Sequence, residues 1–257
     1  LAVLEGVKGL KNMVRDLPDY TRDMHITIDP TLLSQVRTLP WWVRYTPARV
    51  LYLDDFEGVL KWNEISATVT RETSIEAFEG AYCLSLVSDA IIGAEATAEL
   101  LLGGIPRSKI AVQLKWHPYE SADNIFGDFW VTLTFADGSY FTAFIIAYTK
   151  NWVTPQNKWY YMDENEHVTE IPGGAETIET TFRAHQSLYF TCDFRLDSLR
   201  YGVLKTSKLD LDLSTLKPYH IPYTGPPGLA IEISAEPGMD AAAHAYVDAF
   251  CLSDMEI

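Results

Sequence analysis

The chain has 257 residues, 47% of them hydrophobic, 12% aromatic and 21% charged, with a formal net charge of -15. That content of aromatic and apolar side chains excludes a disordered chain and supplies a sizeable core. The acidity argues against a nucleic-acid surface, which needs clustered Lys and Arg. No apolar run approaches the roughly 20 residues of a membrane-spanning helix, so no membrane insertion is expected.

The charge divides unevenly. Residues 1–50 hold seven bases against five acids, whereas residues 51–257 hold 13 bases against 30 acids. A slightly basic leader therefore precedes a strongly acidic body, which favours contact between the leader of one copy and a body. Val3, Leu4, Val7, Leu10 and Val14 recur at helical spacing, and Pro18 ends that short helix. The opening LAVLEGVKGLKNMV has no small-residue cleavage site of a secretory signal. Trp41, Trp42 and Tyr45, with Arg37 and Arg44 close by, are too apolar and too rigidly spaced by prolines for a tether. Residues 1–49 are thus read as an ordered, partly helical arm, and these five residues as candidate inter-subunit contacts.

From Val50 the texture changes to short apolar runs separated by turns. VLYLDDF, ISATVTRE, AYCLSLVS, AEATAELLL and SKIAVQLKW come first, through Trp116. FWVTLTF and SYFTAFIIA follow, joined by Asp137-Gly138, a strong hairpin signal. KWYYM, HVTEI, SLYFTCDF, YGVLKT, GLAIEIS and AYVDAFCLS complete the series. Ala, Glu and Leu in AEATAELLL favour helix, but the surrounding strands make it a strand here. KPYHIPYTGPPG (217–228) is expected to be an extended surface loop that donates to no ladder. The expected fold is all-β: an antiparallel two-sheet sandwich over residues 50–257. Cys83, Cys192 and Cys251 are expected to be buried thiols, with a Cys83–Cys251 bridge left open.

The body, residues 50–254, resembles the jelly-roll sandwiches of carbohydrate-binding modules and concanavalin A-like lectin domains. The resemblance lies in LDDFEG (53–58), Trp62, FEGAYCLSL (78–86), SLYFTCDFRLDSLRYGVLK (187–205) and the final strand AYVDAFCLSD (245–254). It implies a fold rather than an activity. In many such modules a structural Ca2+ ties the first and last strands, and the matching positions here are Asp55, Glu57, Glu79 and Asp248.

Catalysis lacks a motif. Glycosidases on related sandwiches set carboxylates on alternate positions of one strand, and no Glu-x-Asp-x-x-Glu occurs. The acidic stretch from Asp163 to His167 reads as a solvated hairpin turn, and the six histidines are dispersed. No enzyme is expected. Sugar binding needs flat aromatic rings beside polar groups, and two clusters qualify. Trp152, Trp159, Tyr160 and Tyr161 form one; Trp116, His117, Tyr119 and Phe126, around Asp123 and Asn124, form the other. Against this stands the core, which also needs large rings. Jelly rolls with long arms resemble virion components, and the arm sets this chain apart from an ordinary binding module. The sequence reading is therefore a non-enzymatic subunit of an oligomeric or virion-type assembly (capsid, decoration or tail-associated), in a virion or extracellular setting. The alternative is a carbohydrate-binding, lectin-like module with glycan partners.

Overall fold

A computed structural model describes residues 49–73, 80–91, 93–103, 108–121, 126–150, 157–180, 185–238 and 241–255. The arm, with Arg37, Trp41, Trp42, Arg44 and Tyr45, lies outside the described residues, as do Glu79, Asp123, Asn124 and Trp152. The described residues form sixteen strands in two antiparallel sheets of eight.

Sheet A runs β13 (Asp210–Asp212), β12 (Arg200–Thr206), β11 (Gln186–Asp193), β6 (Lys109–Tyr119), β16 (His244–Asp254), β4 (Tyr82–Val87), β3 (Thr68–Thr73). β1 (Arg49–Asp54) joins it by pairing with β16, so the first and last strands are neighbours. Sheet B runs β10 (Val168–Ala175), β9 (Lys158–Met162), β8 (Tyr140–Thr149), β7 (Phe126–Ala136), β15 (Gly228–Pro237), β5 (Ala96–Leu102), β2 (Asn63–Ser66). β14 (Tyr219–Pro222) pairs with the start of β8.

Alternation explains the sandwich. Ile110, Val112, Leu114 and Trp116 of β6 and Phe129, Val131, Leu133 and Phe135 of β7 all point into the space between the sheets. Trp116 stacks on Phe129 there, ring centroids 4.0 Å apart and planes 7° apart. β5 is a strand despite its helix-favouring composition. Ala96, Ala98 and Leu100 fill the core, and a seven-residue register with β15 outweighs local propensity.

Three expectations need correction. ISATVTRE is not one strand: Ala67, at φ 52°, turns the chain from β2 in sheet B to β3 in sheet A. Tyr219–Pro222 is not loop but an edge strand, ending at a proline that has no N–H to offer. β13 is an added edge strand on β12. The Asp137-Gly138 hairpin forms, with Gly138 at φ 88° and the Asp137 carboxylate accepting from Ser139 and Tyr140 N–H at 2.7 Å each. The cysteines are buried thiols with no disulfide among them.

Candidate functional site

Of the three tryptophans expected as sugar platforms, Trp152 lies outside the described residues, and Trp116 and Trp159 are core residues. Trp116 and Trp159 have no exposed surface, and their rings meet edge to face at 6.4 Å between the sheets. Trp159 Nε1 donates to the buried Glu176 carboxylate at 2.8 Å, a partner that a burial-tolerant indole requires. Phe126 is also core. Tyr119 stands half-buried on the outer side of sheet A, against His244 (5.6 Å) and Tyr246 (6.2 Å), and so on the opposite sheet from Tyr160. His117 is fully buried. Of the three rings in KWYYM only Tyr160 faces outward, since Trp159 and Tyr161 alternate into the core.

The outer face of sheet B brings together a different set. Trp130 of β7 and Tyr160 of β9 both pair with Ala147 of β8, so the two half-buried rings flank one small residue. Two strand spacings separate their backbones, about 10 Å. Ala147 has no exposed surface and forms the floor between the rings. Next along the same face, Asp128 sits opposite Glu236 of β15 and Thr149 of β8. Further across lie Ser234 and Glu232 of β15, then Thr97 and Glu99 of β5, with Thr97 and Ser234 hydroxyls 2.9 Å apart.

A bulge positions Asp128. Glu236 pairs with Asp128 but Pro237 pairs with Phe126, leaving Gly127 as the extra residue. Without it Phe126 and Asp128, two apart, would share a face; with it Phe126 enters the core and Asp128 turns outward. Only glycine fits, because a Cβ on Gly127 would lie 2.4 Å from the Gly238 backbone nitrogen.

The electrostatics are acidic. Asp128 is 2% exposed, and its pKa is raised to about 7 by burial first and by the Glu236 carboxylate second, with the Thr149 hydroxyl opposing. Burial also raises Glu236 and Glu232, each with further help from Glu95 and, for Glu232, from Glu99. The Tyr160 phenol is raised by burial first and then by Glu170, with Lys158 opposing and Asp128 adding a smaller upward push. Two polar atoms of this face are buried without a hydrogen-bond partner, Asp128 Oδ1 and Trp130 Nε1. Asp128 and Trp130 are neighbours on one face of β7, and an unpaired buried acceptor and donor there are groups that a polar ligand would satisfy.

Glu232, Ser234 and Glu236 occupy alternate positions of one strand in GLAIEISAEP. That is the period-two carboxylate spacing named above with Ser in the middle place, so it does not match Glu-x-Asp-x-x-Glu. Trp130 was hidden within FWVTLTF, where sequence does not say which alternate set faces out.

Among the described residues, which leave out Glu79 of the expected calcium set, no group of three or more His, Cys, Asp or Glu side chains is arranged to hold a metal. Glu57 Oε1 accepts from Ala81 N–H (2.8 Å) and Tyr82 N–H (2.9 Å). Asp55 accepts from Glu57 N–H at 3.1 Å, and Asp248 is buried on β16 opposite Lys115 of β6. The buried carboxylate of the entry motif is instead Asp54, which accepts from Tyr52 Oη (2.8 Å), Phe56 N–H (2.9 Å) and Trp62 Nε1 (3.3 Å). The Asp163 turn is as expected, its carboxylate accepting from Asn165 and His167 N–H. A cleft of about 530 Å³ beside that turn is lined by Glu164, Leu196, Arg200, Lys217 and His220, with Lys217 paired to Glu164 at 3.2 Å. It offers paired, exposed charges and no aromatic trough.

No protein-family model matches this sequence, and no curated protein does. Among solved structures the chain is similar to the cellulose-induced protein Cip1, at TM-score 0.48 and 11% identity over 78% of this chain and 96% of that one. It is similar to the exoplasmic/lumenal domain of VIP36 in its Ca2+/Man3GlcNAc-bound form, at TM-score 0.47 and 11% identity over 78% and 86%. It is also similar to a Bauhinia forficata lectin in complex with GalNAc, at TM-score 0.47 and 10% identity over 80% and 99%.

Proposed function

We propose that the protein binds carbohydrate on the outer face of sheet B. The observation that carries this reading is the trough of Trp130 and Tyr160 over Ala147, beside the outward carboxylate of Asp128. The strands that carry the two rings lie about 10 Å apart, and flat ring faces of this kind suit stacking on a pyranose. Half-buried Glu236 accepts from hydroxyls beside the buried Asp128 and Ser234, and the buried, unpaired indole N–H of Trp130 becomes a donor where ligand binding uncovers it. In this reading the face binds and does not catalyse.

A glycan array with the whole chain is the test, followed by titration of a hit. Trp130→Ala and Tyr160→Ala should each weaken binding at least tenfold, about 1.4 kcal/mol, without lowering the melting temperature appreciably. A blank array, or variants that bind as the parent does, overturns it.

The assembly role expected from the arm keeps one supporting observation, the basic, aromatic leader ahead of an acidic body. Deleting residues 1–49 should then reduce assembly size in solution; unchanged size excludes that role.

A further inference from the structure

We infer that the saccharide bound on sheet B carries a protonated amine, held between Asp128 and Glu236 while its ring lies between Trp130 and Tyr160. The inference rests on the carbohydrate-binding reading and adds the class of sugar.

The charge of the face sets the sign of its ligand. Asp128 faces Glu236 on β15, and Glu95, Glu232 and Glu99 extend the negative row across β15 and β5. The other groups around Asp128 are Thr149 on β8, Tyr160 and Lys158 on β9, and Glu170 on β10. Thr149 is neutral, and Lys158 is committed to Glu170, Nζ to Oε2 2.7 Å. No described cation therefore balances Asp128 and Glu236. A uronic, sialic or sulfated sugar would bring like charge into this row and is disfavoured.

A neutral sugar would satisfy hydrogen bonds but bring no positive charge to favour the ionised form of Asp128, which burial and Glu236 otherwise oppose up to about pH 7. Asp128 is 2% exposed and its Oδ1 has no partner, so it is an acceptor that water reaches poorly and that a donor would satisfy. An ammonium group brings three donors and one positive charge, enough to bridge two facing carboxyl groups. The neighbouring rings reinforce the choice, because the faces of Trp and Tyr attract cations as well as sugar rings. Among saccharides, amino sugars with a free amine meet all three conditions.

The experiment compares three probes of equal length by calorimetric titration near pH 6: glucosamine hexaose, N-acetylglucosamine hexaose and a hexagalacturonate. N-acetylation keeps the ring and removes the charge. Glucosamine hexaose should bind at least tenfold tighter than its acetylated counterpart, and the galacturonate should not bind. In Asp128→Asn and Glu236→Gln, both near-isosteric and checked for folding by circular dichroism, that preference should fall below threefold. Trp130→Ala should weaken the glucosamine probe too, which bulk attraction to an acidic surface would not predict. Equal or tighter binding of the acetylated hexamer overturns the inference, as does a preference that survives both amide variants. An array positive for neutral glycans, without preference for free amines, also sinks it but leaves the carbohydrate reading standing. An array and titrations blank throughout remove both.

Discussion

The Tyr201 hydroxyl of sheet A accepts the Ile145 N–H of sheet B at 3.0 Å and donates to the Met162 carbonyl at 2.9 Å. It does so where the neighbour of β8 changes. β14 pairs with β8 over residues 140–143 and β9 over 146–149, so Ile145 falls in the gap between them. The phenol replaces the missing ladder bond, and burial holds its pKa well above the ordinary tyrosine value. Tyr201→Phe keeps the ring and strands a buried N–H, which should cost about 1–3 kcal/mol in denaturant unfolding.

The buried and outward aromatics should separate cleanly by phenotype. Trp116→Ala removes the ring stacked on Phe129 and should destabilise by about 3–5 kcal/mol. Trp159→Phe keeps most of the volume but leaves the Glu176 carboxylate without its donor, at a cost of about 1–3 kcal/mol. Trp130→Ala and Tyr160→Ala should instead leave unfolding midpoints nearly in place and weaken ligand binding at least tenfold. Paired unfolding curves and titrations of the four variants check the division.

Asp128 makes stability depend on pH. Its folded value of about 7 lies above the ordinary 3.8. Between those values the folded protein keeps a proton that the unfolded chain has released, so stability falls as pH rises through this window and levels off above it. Glu232 and Glu236 are shifted in the same direction and steepen the fall. Asp128→Asn removes one titration and should gain on the order of 1–4 kcal/mol over the parent between about pH 4 and pH 8. An unchanged pH profile would show that Asp128 ionises normally.

Gly127→Ala probes the bulge. The new Cβ would press on the Pro237–Gly238 backbone, with the nearest atom at 2.4 Å and no flexible side chain to yield. Destabilisation of about 1–3 kcal/mol is expected. Because the same shift moves Asp128 against Glu236, ligand binding should weaken in the folded variant as well.

Chelation tests the entry motif. The carboxylates of Asp54 and Glu57 already accept from protein donors, so EDTA should leave the melting temperature within about 2 °C. Asp54→Ala should cost about 1.5–3 kcal/mol through the lost charge-assisted bonds. A chelator-induced drop of many degrees would show that a cation, with Glu79 among its ligands, holds this end together.

The sequence by itself determined most of the strand runs, the Asp137-Gly138 hairpin, the Asp163 turn and the all-β class. Each of these is local, set by alternation or by turn chemistry within a few residues. Period two, however, is symmetric: it separates Trp159 from Tyr160 without saying which of them meets the opposite sheet. Packing across the sandwich made that choice, sending Trp116 and Trp159 inward and leaving Trp130 and Tyr160 outside. Nor could local pattern show that one extra residue at Gly127 changes the parity of β7, or that β15 brings Glu236 opposite Asp128. The uneven charge was visible from composition alone. That part of it gathers on one face beside an aromatic trough was decided by the register of β7, β8, β9 and β15, because cross-strand pairing joins residues that lie far apart in the chain.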